Sequence, residues 1–76
     1  MQYYSGEEVR VGDRVRLWEN MHGQIVCEFG KQEFMEGYSS SDWSTEMKGI
    51  MILADKGDLF HYDDIDEDLE LLSRME

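Results

Sequence analysis

Carboxylates dominate the side chains able to do chemistry. Asp63, Asp64, Asp66, Glu67, Asp68 and Glu70 place six acids in eight consecutive positions, and oxygen ligands at that density first suggest a hard cation such as calcium. A calcium loop needs acids at its first, third and fifth positions, glycine at the sixth and a bidentate glutamate at the twelfth. Asp64, Asp66 and Asp68 meet the first three requirements, but Leu69 and Met75 stand at the sixth and twelfth positions. The sharp turn and the bidentate ligand are both missing. The segment therefore reads as a solvated acidic turn and strand, and neither a metal nor a cofactor is expected.

Thiol and imidazole chemistry is equally thin. Zinc asks for three or four converging Cys, His or carboxylate ligands, and the chain offers Cys27, His22 and His61 without a closely spaced pair. Cys27 stands in register with Ile25 and Phe29, which points it into the core as a small hydrophobe. A nucleophilic thiol would need His61 beside it and a third group orienting that imidazole, and the spacing supplies neither. His61, between Phe60 and Tyr62, is expected to be partly buried and hydrogen-bonded to a carboxylate. A single small domain has little volume for a deep cleft, so no catalytic residue is assigned and the protein is expected not to be an enzyme.

Charge says more about partners than about catalysis. From Glu33 onward thirteen acids face three Lys and Arg, a net of −10, whereas residues 1–32 carry five acids and four bases, a net of −1. A field of one sign over one region can raise association rates with an oppositely charged partner by roughly 10–10³-fold. Nucleic acid is disfavoured, because each phosphate contact wants a Lys or Arg and the whole chain has seven. Arg10, Arg14, Arg16 and Lys31 form at best a local basic patch, read as an outer face partly neutralised by neighbouring Glu residues. The single cysteine excludes an internal disulfide and suits a reducing compartment. No apolar run approaches the ~20 residues of a membrane span, and the first residues lack a signal-peptide pattern, so a cytoplasmic protein is expected.

Period-two alternation, broken by glycine-containing turns, predicts that an all-β fold positions these acids. Val15 and Leu17 alternate with Arg14 and Arg16 in a first strand, after a Gly12-Asp13 turn. Asn20-Met21-His22-Gly23 is expected to turn the chain into a second strand over residues 24–29. Residues 49–54 are apolar on both faces, as in a central strand. Asp55-Lys56-Gly57-Asp58 has the composition of a tight hairpin turn leading to a fourth strand over 59–62, and residues 68–73 form a fifth. Five short strands in one domain, residues 1–76, suit a closed barrel, which would remove exposed edges. The stretch from Gly30 to Lys48 is too long for an ordinary connection. Ser41 or Asp42 could cap one helical turn there, through Met47.

Val11-Gly12-Asp13-Arg14-Val15-Arg16-Leu17 resembles the opening of many SH3-like barrels, in which a Val-Gly-Asp-x-Val turn feeds the first barrel strand. Tyr4, Gly6, Trp43, Gly49-Ile50, Gly57-x-Leu59-x-His61-Tyr62 and the run Asp66 to Leu71 extend the likeness to small bacterial SH3-like proteins. The resemblance implies a five-stranded SH3-like barrel with a long loop carrying one short helical turn. It also implies a non-catalytic binding module, an immunity or inhibitor protein that neutralises a basic toxin or effector. The residues expected to meet that partner are Glu33, Glu36, Tyr38, Trp43, Asp63, Asp64, Asp66, Glu67 and Asp68. Tyr38 and Phe34 are expected to be exposed anchors, Trp18 to be packed, and Trp43 to be either a barrel plug or an anchor. The alternatives are a nucleic-acid-binding SH3-like or KOW-type module, and an acidic mimic of nucleic acid that blocks a nuclease.

Overall fold

The computed structural model describes residues 1–39 and 47–74, and among them it is all-β, with no helix. Six strands run in chain order: β1 Arg14–Trp18, β2 Met21–Glu28, β3 Glu33–Phe34, β4 Ile50–Ala54, β5 Leu59–Tyr62 and β6 Glu70–Ser73. They form one antiparallel sheet in the spatial order β5-β4-β2-β1-β6, with β3 also paired to β2. Strands were therefore expected where β1, β2, β4, β5 and β6 lie. The short β3 inside the long connection was not. The helical turn expected from Ser41 and the side chain of Trp43 lie outside the described residues.

Two turns differ in an instructive way. The Ala54–Asp58 hairpin closes where the composition placed it, with Gly57 at φ +101° and its N–H bonded to the Ala54 carbonyl at 2.8 Å. The turn before β2 does not involve Gly23. Chain reversal occurs earlier, next to Glu19 at φ +32°, and β2 already begins at Met21. Gly23 is instead a buried strand residue opposite Ala54, where a Cβ would lie 2.7 Å from the Leu53 carbonyl oxygen. Glycine is needed there for close approach of β2 to β4 rather than for turning.

A β-bulge divides β2 into two halves. Ile25 pairs with Ile52, but Cys27 pairs with Met51, so Ile25-Val26-Cys27 spans a single step of β4. The extra residue resets which face each later side chain takes. Ile25 joins the main core with Val9, Val15, Leu17, Ile50, Ile52, Ile65 and Leu69. Val26, Cys27, Phe29 and Met51 form a second cluster, covered by Phe34, Met35, Tyr38, Met47 and Leu53. Cys27 is buried, as expected, but not in the cluster that holds Ile25, because the bulge breaks the simple alternation. The apolar character of β4 on both faces follows: Ile50 and Ile52 fill one cluster and Met51 the other.

Both outer strands lean on the main core. Phe60 and Tyr62 of β5 and Leu71 of β6 pack against it, and Trp18 at the end of β1 meets Phe60 edge-on at 5.5 Å. The sheet is thus curled, yet among the described residues no ladder joins β5 to β6. Closure through hydrogen bonds, expected from the strand count, is absent from this pairing. Among the described residues no helix is long and apolar enough to cross a membrane.

The N-terminal arm is tied down by one buried polar contact. Tyr3 is 3% exposed, and its hydroxyl donates to Asp13 Oδ2 at 2.7 Å. The same oxygen accepts the Arg10 N–H at 3.0 Å, closing the turn that precedes β1. Burial, with the Asp13 carboxylate adding to it, holds the Tyr3 phenol well above its ordinary pKa.

Candidate functional site

The acidic segment connects β5 to β6 and packs against the main core through two apolar residues. Ile65 and Leu69 anchor it there at 8% and 2% exposure, which turns Asp63, Asp64, Asp66, Glu67 and Asp68 outward. Two of these carboxylates also organise the backbone. Asp64 Oδ1 accepts the Ile65 N–H at 2.8 Å, and Asp66 Oδ1 accepts the Asp68 N–H at 3.0 Å. The acids are therefore held on a shaped turn rather than on a floating tail. Their field reaches inward: burial raises the pKa of Tyr62, and the charges of Asp66 and Asp68 raise it further.

Glu70, the sixth acid, has a different task. Its Oε2 lies 3.0 Å from Arg16 Nη2, across the β1–β6 pair. Arg14 makes a two-pronged contact with Asp55, both bonds 2.8 Å, and Lys31 Nζ is 2.6 Å from Glu8 Oε1. Three of the four cations of the basic patch are thus paired with acids. Among the described residues the outward acids from Asp63 to Asp68 have no ion-pair partner apart from His61, whose Nε2 is 3.5 Å from Asp63 Oδ1. That nitrogen is closer to the Lys48 carbonyl oxygen, at 2.7 Å. A carbonyl can only accept, so Nε2 carries the proton and clips the end of the long connection onto β5.

The remaining residues expected to meet a partner are dispersed. Glu33 is exposed on β3, directly across from Glu28. Glu36 is exposed beside Phe34 and Met35, at a surface hollow of about 560 Å³. Phe34 and Tyr38 are half-buried against the second cluster, Phe34 meeting Phe29 edge-on at 6.0 Å. These two aromatics are cover for the core rather than free anchors. Trp18 is both packed and presented, since 42% of it remains exposed beside Phe60.

Glu28 escaped the sequence reading altogether. Alternation would send an acid next to buried Cys27 toward solvent, yet Glu28 is 1% exposed. The bulge at Val26 and pairing to strands on both sides, β3 and β4, close over it. Its Oε1 accepts the Gly30 N–H at 2.8 Å, while its Oε2 has no hydrogen-bond partner among the described residues. Glu28 lines a cavity of about 520 Å³ together with Gly30, Lys31, Lys48, Asp63 and Asp64. A buried carboxylate and two of the outward acids thus share one concavity. The signal that could have found it is an acid inside the apolar run from Ile25 to Phe29.

Among the described residues no group of three His, Cys, Asp or Glu side chains is arranged to hold a metal ion. Cys27 is buried and its thiol pKa is raised by that burial, which keeps it in the unreactive protonated form. No family model matches the chain, and no curated protein or solved structure is similar enough to it to match.

Proposed function

We propose that the chain is a non-catalytic protein-binding module whose acidic turn, Asp63 to Asp68, engages a basic partner, as an immunity or inhibitor protein engages a toxin or effector in the cytoplasm. One observation carries this reading: the turn is anchored by Ile65 and Leu69 with its carboxylates outward, whereas Arg14, Arg16 and Lys31 are tied up in ion pairs. The uncompensated charge is thus negative and localised. The curled sheet, with both outer strands packed on one core, supports an SH3-like barrel as the scaffold. Exposed carboxylates set encounter rate and partner choice more than final affinity, and half-exposed Trp18 or the cover of the second cluster would add contact area.

The test is kinetic. A partner captured from the native host is expected to associate at a rate that falls steeply from low to moderate salt. Neutralising Asp66, Glu67 and Asp68 to their amides should slow association by about tenfold while changing dissociation little. Association that ignores salt would sink the reading. Retarded migration of DNA or RNA by the protein, lost on Arg14→Glu and Arg16→Glu, would favour nucleic-acid binding instead.

A further inference from the structure

One edge of the sheet is bare. In the order β5-β4-β2-β1-β6, β5 has a neighbour on one side, and among the described residues no other strand pairs with it. The register says which groups face that edge. The Ala54 N–H donates to the Asp58 carbonyl oxygen at 2.8 Å across the hairpin, and hydrogen-bonded pairs alternate along an antiparallel ladder. Ile52 with Phe60 and Ile50 with Tyr62 are therefore the bonded pairs. The N–H and C=O groups of Leu59 and His61 point away from β4, toward the open side.

Proteins blunt such edges with bulges, prolines, lysines or very short strands. The β4–β5 ladder runs without a register shift, β5 carries no lysine, and the chain has no proline. β6, the other outer strand, differs. Its pairing with β1 is bulged between Arg14 and Val15, and just past its end Arg74 Nη2 donates to the Glu8 carbonyl oxygen at 2.6 Å. The guards of β5 are acids instead: Asp58 before it, Asp63 and Asp64 after it, all exposed.

That sign of charge selects the occupant. Antiparallel pairing of two copies brings opposite ends of the strand together, so Asp58 of one copy would stand near Asp63 of the other. Like charges across a strand pair are destabilising, and each copy carries a net charge of −11. A basic strand meets the reverse. We infer that the free edge of β5 receives an extended basic segment of the partner, which pairs antiparallel with the Leu59 and His61 backbone and sets one Lys or Arg against Asp58 and another against Asp63 and Asp64. The inference rests on the acidic-module reading and adds how the partner is gripped. Main-chain bonds supply affinity in such strand addition, while the acids choose its sign. Leu59, 47% exposed and paired with Leu53, gives the visiting strand an apolar neighbour. β5 is four residues long, so the ladder is short and needs the charges at both ends.

The probe is an acetylated, amidated Lys-Val-Thr-Val-Val-Lys peptide, titrated into the whole chain at low salt and followed by amide NMR. One companion peptide is N-methylated at the threonine and the last valine, which removes the two N–H groups that would face His61 and Leu59. A second has glutamate in place of both lysines. The expected result is saturable movement of the Leu59 and His61 amides with the lysine peptide, weakened severalfold at moderate salt. The N-methylated peptide should bind about tenfold more weakly or worse, having lost two hydrogen bonds, and the glutamate peptide should not bind. Leu59→Pro removes an outward N–H and leaves the β4 ladder intact, so it should cost the lysine peptide a similar factor; if that variant does not fold, the N-methylated peptide decides. Equal binding of the N-methylated peptide, or movement confined to the Asp63–Asp68 amides, would overturn the edge pairing while leaving the acidic face standing. Movement of the Leu59 and His61 amides on concentrating the chain alone would give the edge to a second copy and refute the basic occupant. Failure of both lysine peptides to bind even at low salt, or equal binding of the glutamate peptide, would sink the acidic-module reading as well.

Discussion

Removing one oxygen at Tyr3 tests how the N-terminal arm is held to the sheet. In Tyr3→Phe the ring still fills its buried place in the main core, but Asp13 Oδ2 loses the donor now 2.7 Å away and keeps only the Arg10 N–H at 3.0 Å. A hydrogen bond to a charged group contributes about 1.5–3 kcal/mol, so a loss near 2 kcal/mol is expected at neutral pH. A domain of this length is stable by only about 4–11 kcal/mol in total, which makes the effect large. Its pH dependence is the sharper test. The Tyr3 phenol has a raised pKa in the folded protein, so the native state holds a proton that the unfolded chain releases above about pH 10. The stabilisation is fully present below that pH and falls by about 1.4 kcal/mol per pH unit above it, until the folded phenol itself ionises. Urea unfolding of both proteins from neutral pH to about pH 11 should therefore show the two stabilities converging above about pH 10. Tyr62, also raised, is common to both and cancels. A difference that stays constant across this range would refute the placement of the phenol on the Asp13 carboxylate.

Two further outcomes follow from backbone and burial. Gly49→Ala combines a φ of +85° with a Cβ 1.9 Å from the Tyr62 carbonyl oxygen, so it should cost on the order of 4 kcal/mol, against about 1 kcal/mol for Gly57→Ala, where φ is +101° but no atom lies within 4 Å of the added Cβ. Equal losses in thermal or urea unfolding would contradict the close β4–β5 crossing. Cys27, buried and with a raised thiol pKa, should react with a thiol reagent at the rate of unfolding. Rapid labelling of the folded protein at neutral pH would show that the second cluster is open.

Much of the strand layout was legible because alternation is a local property. Val15 and Leu17, Leu59 with Phe60 and Tyr62, and Leu69 to Leu71 carry their face assignments in neighbouring residues. The tight turn at Gly57 was legible for the same reason. The acids beside the last strand were legible as outward because Leu69 and Leu71 alternate with them, whereas Ile65 as a second inward anchor became visible only in the structure. What misled was every feature set by a distant partner. Gly23 looks like a turn residue until β4 is laid beside it. Cys27 looks like a companion of Ile25 until the bulge is counted against Met51. Phe34 and Tyr38 look presented until Met51 and Phe29 are found beneath them.

The amino-acid order alone determined that this is a small all-β chain with its negative charge gathered near the C-terminal strand. Hydrophobic period and charge count are both one-dimensional quantities, so they survive without coordinates. Only the tertiary structure decided what that charge surrounds. A one-residue bulge at Val26, meaningful only against the fixed spacing of β4, turned Glu28 inward, onto the lining of a cavity shared with Asp63 and Asp64. Those acids stand thirty-five and thirty-six positions further along the chain. No local pattern links them, because the link is made by strand pairing.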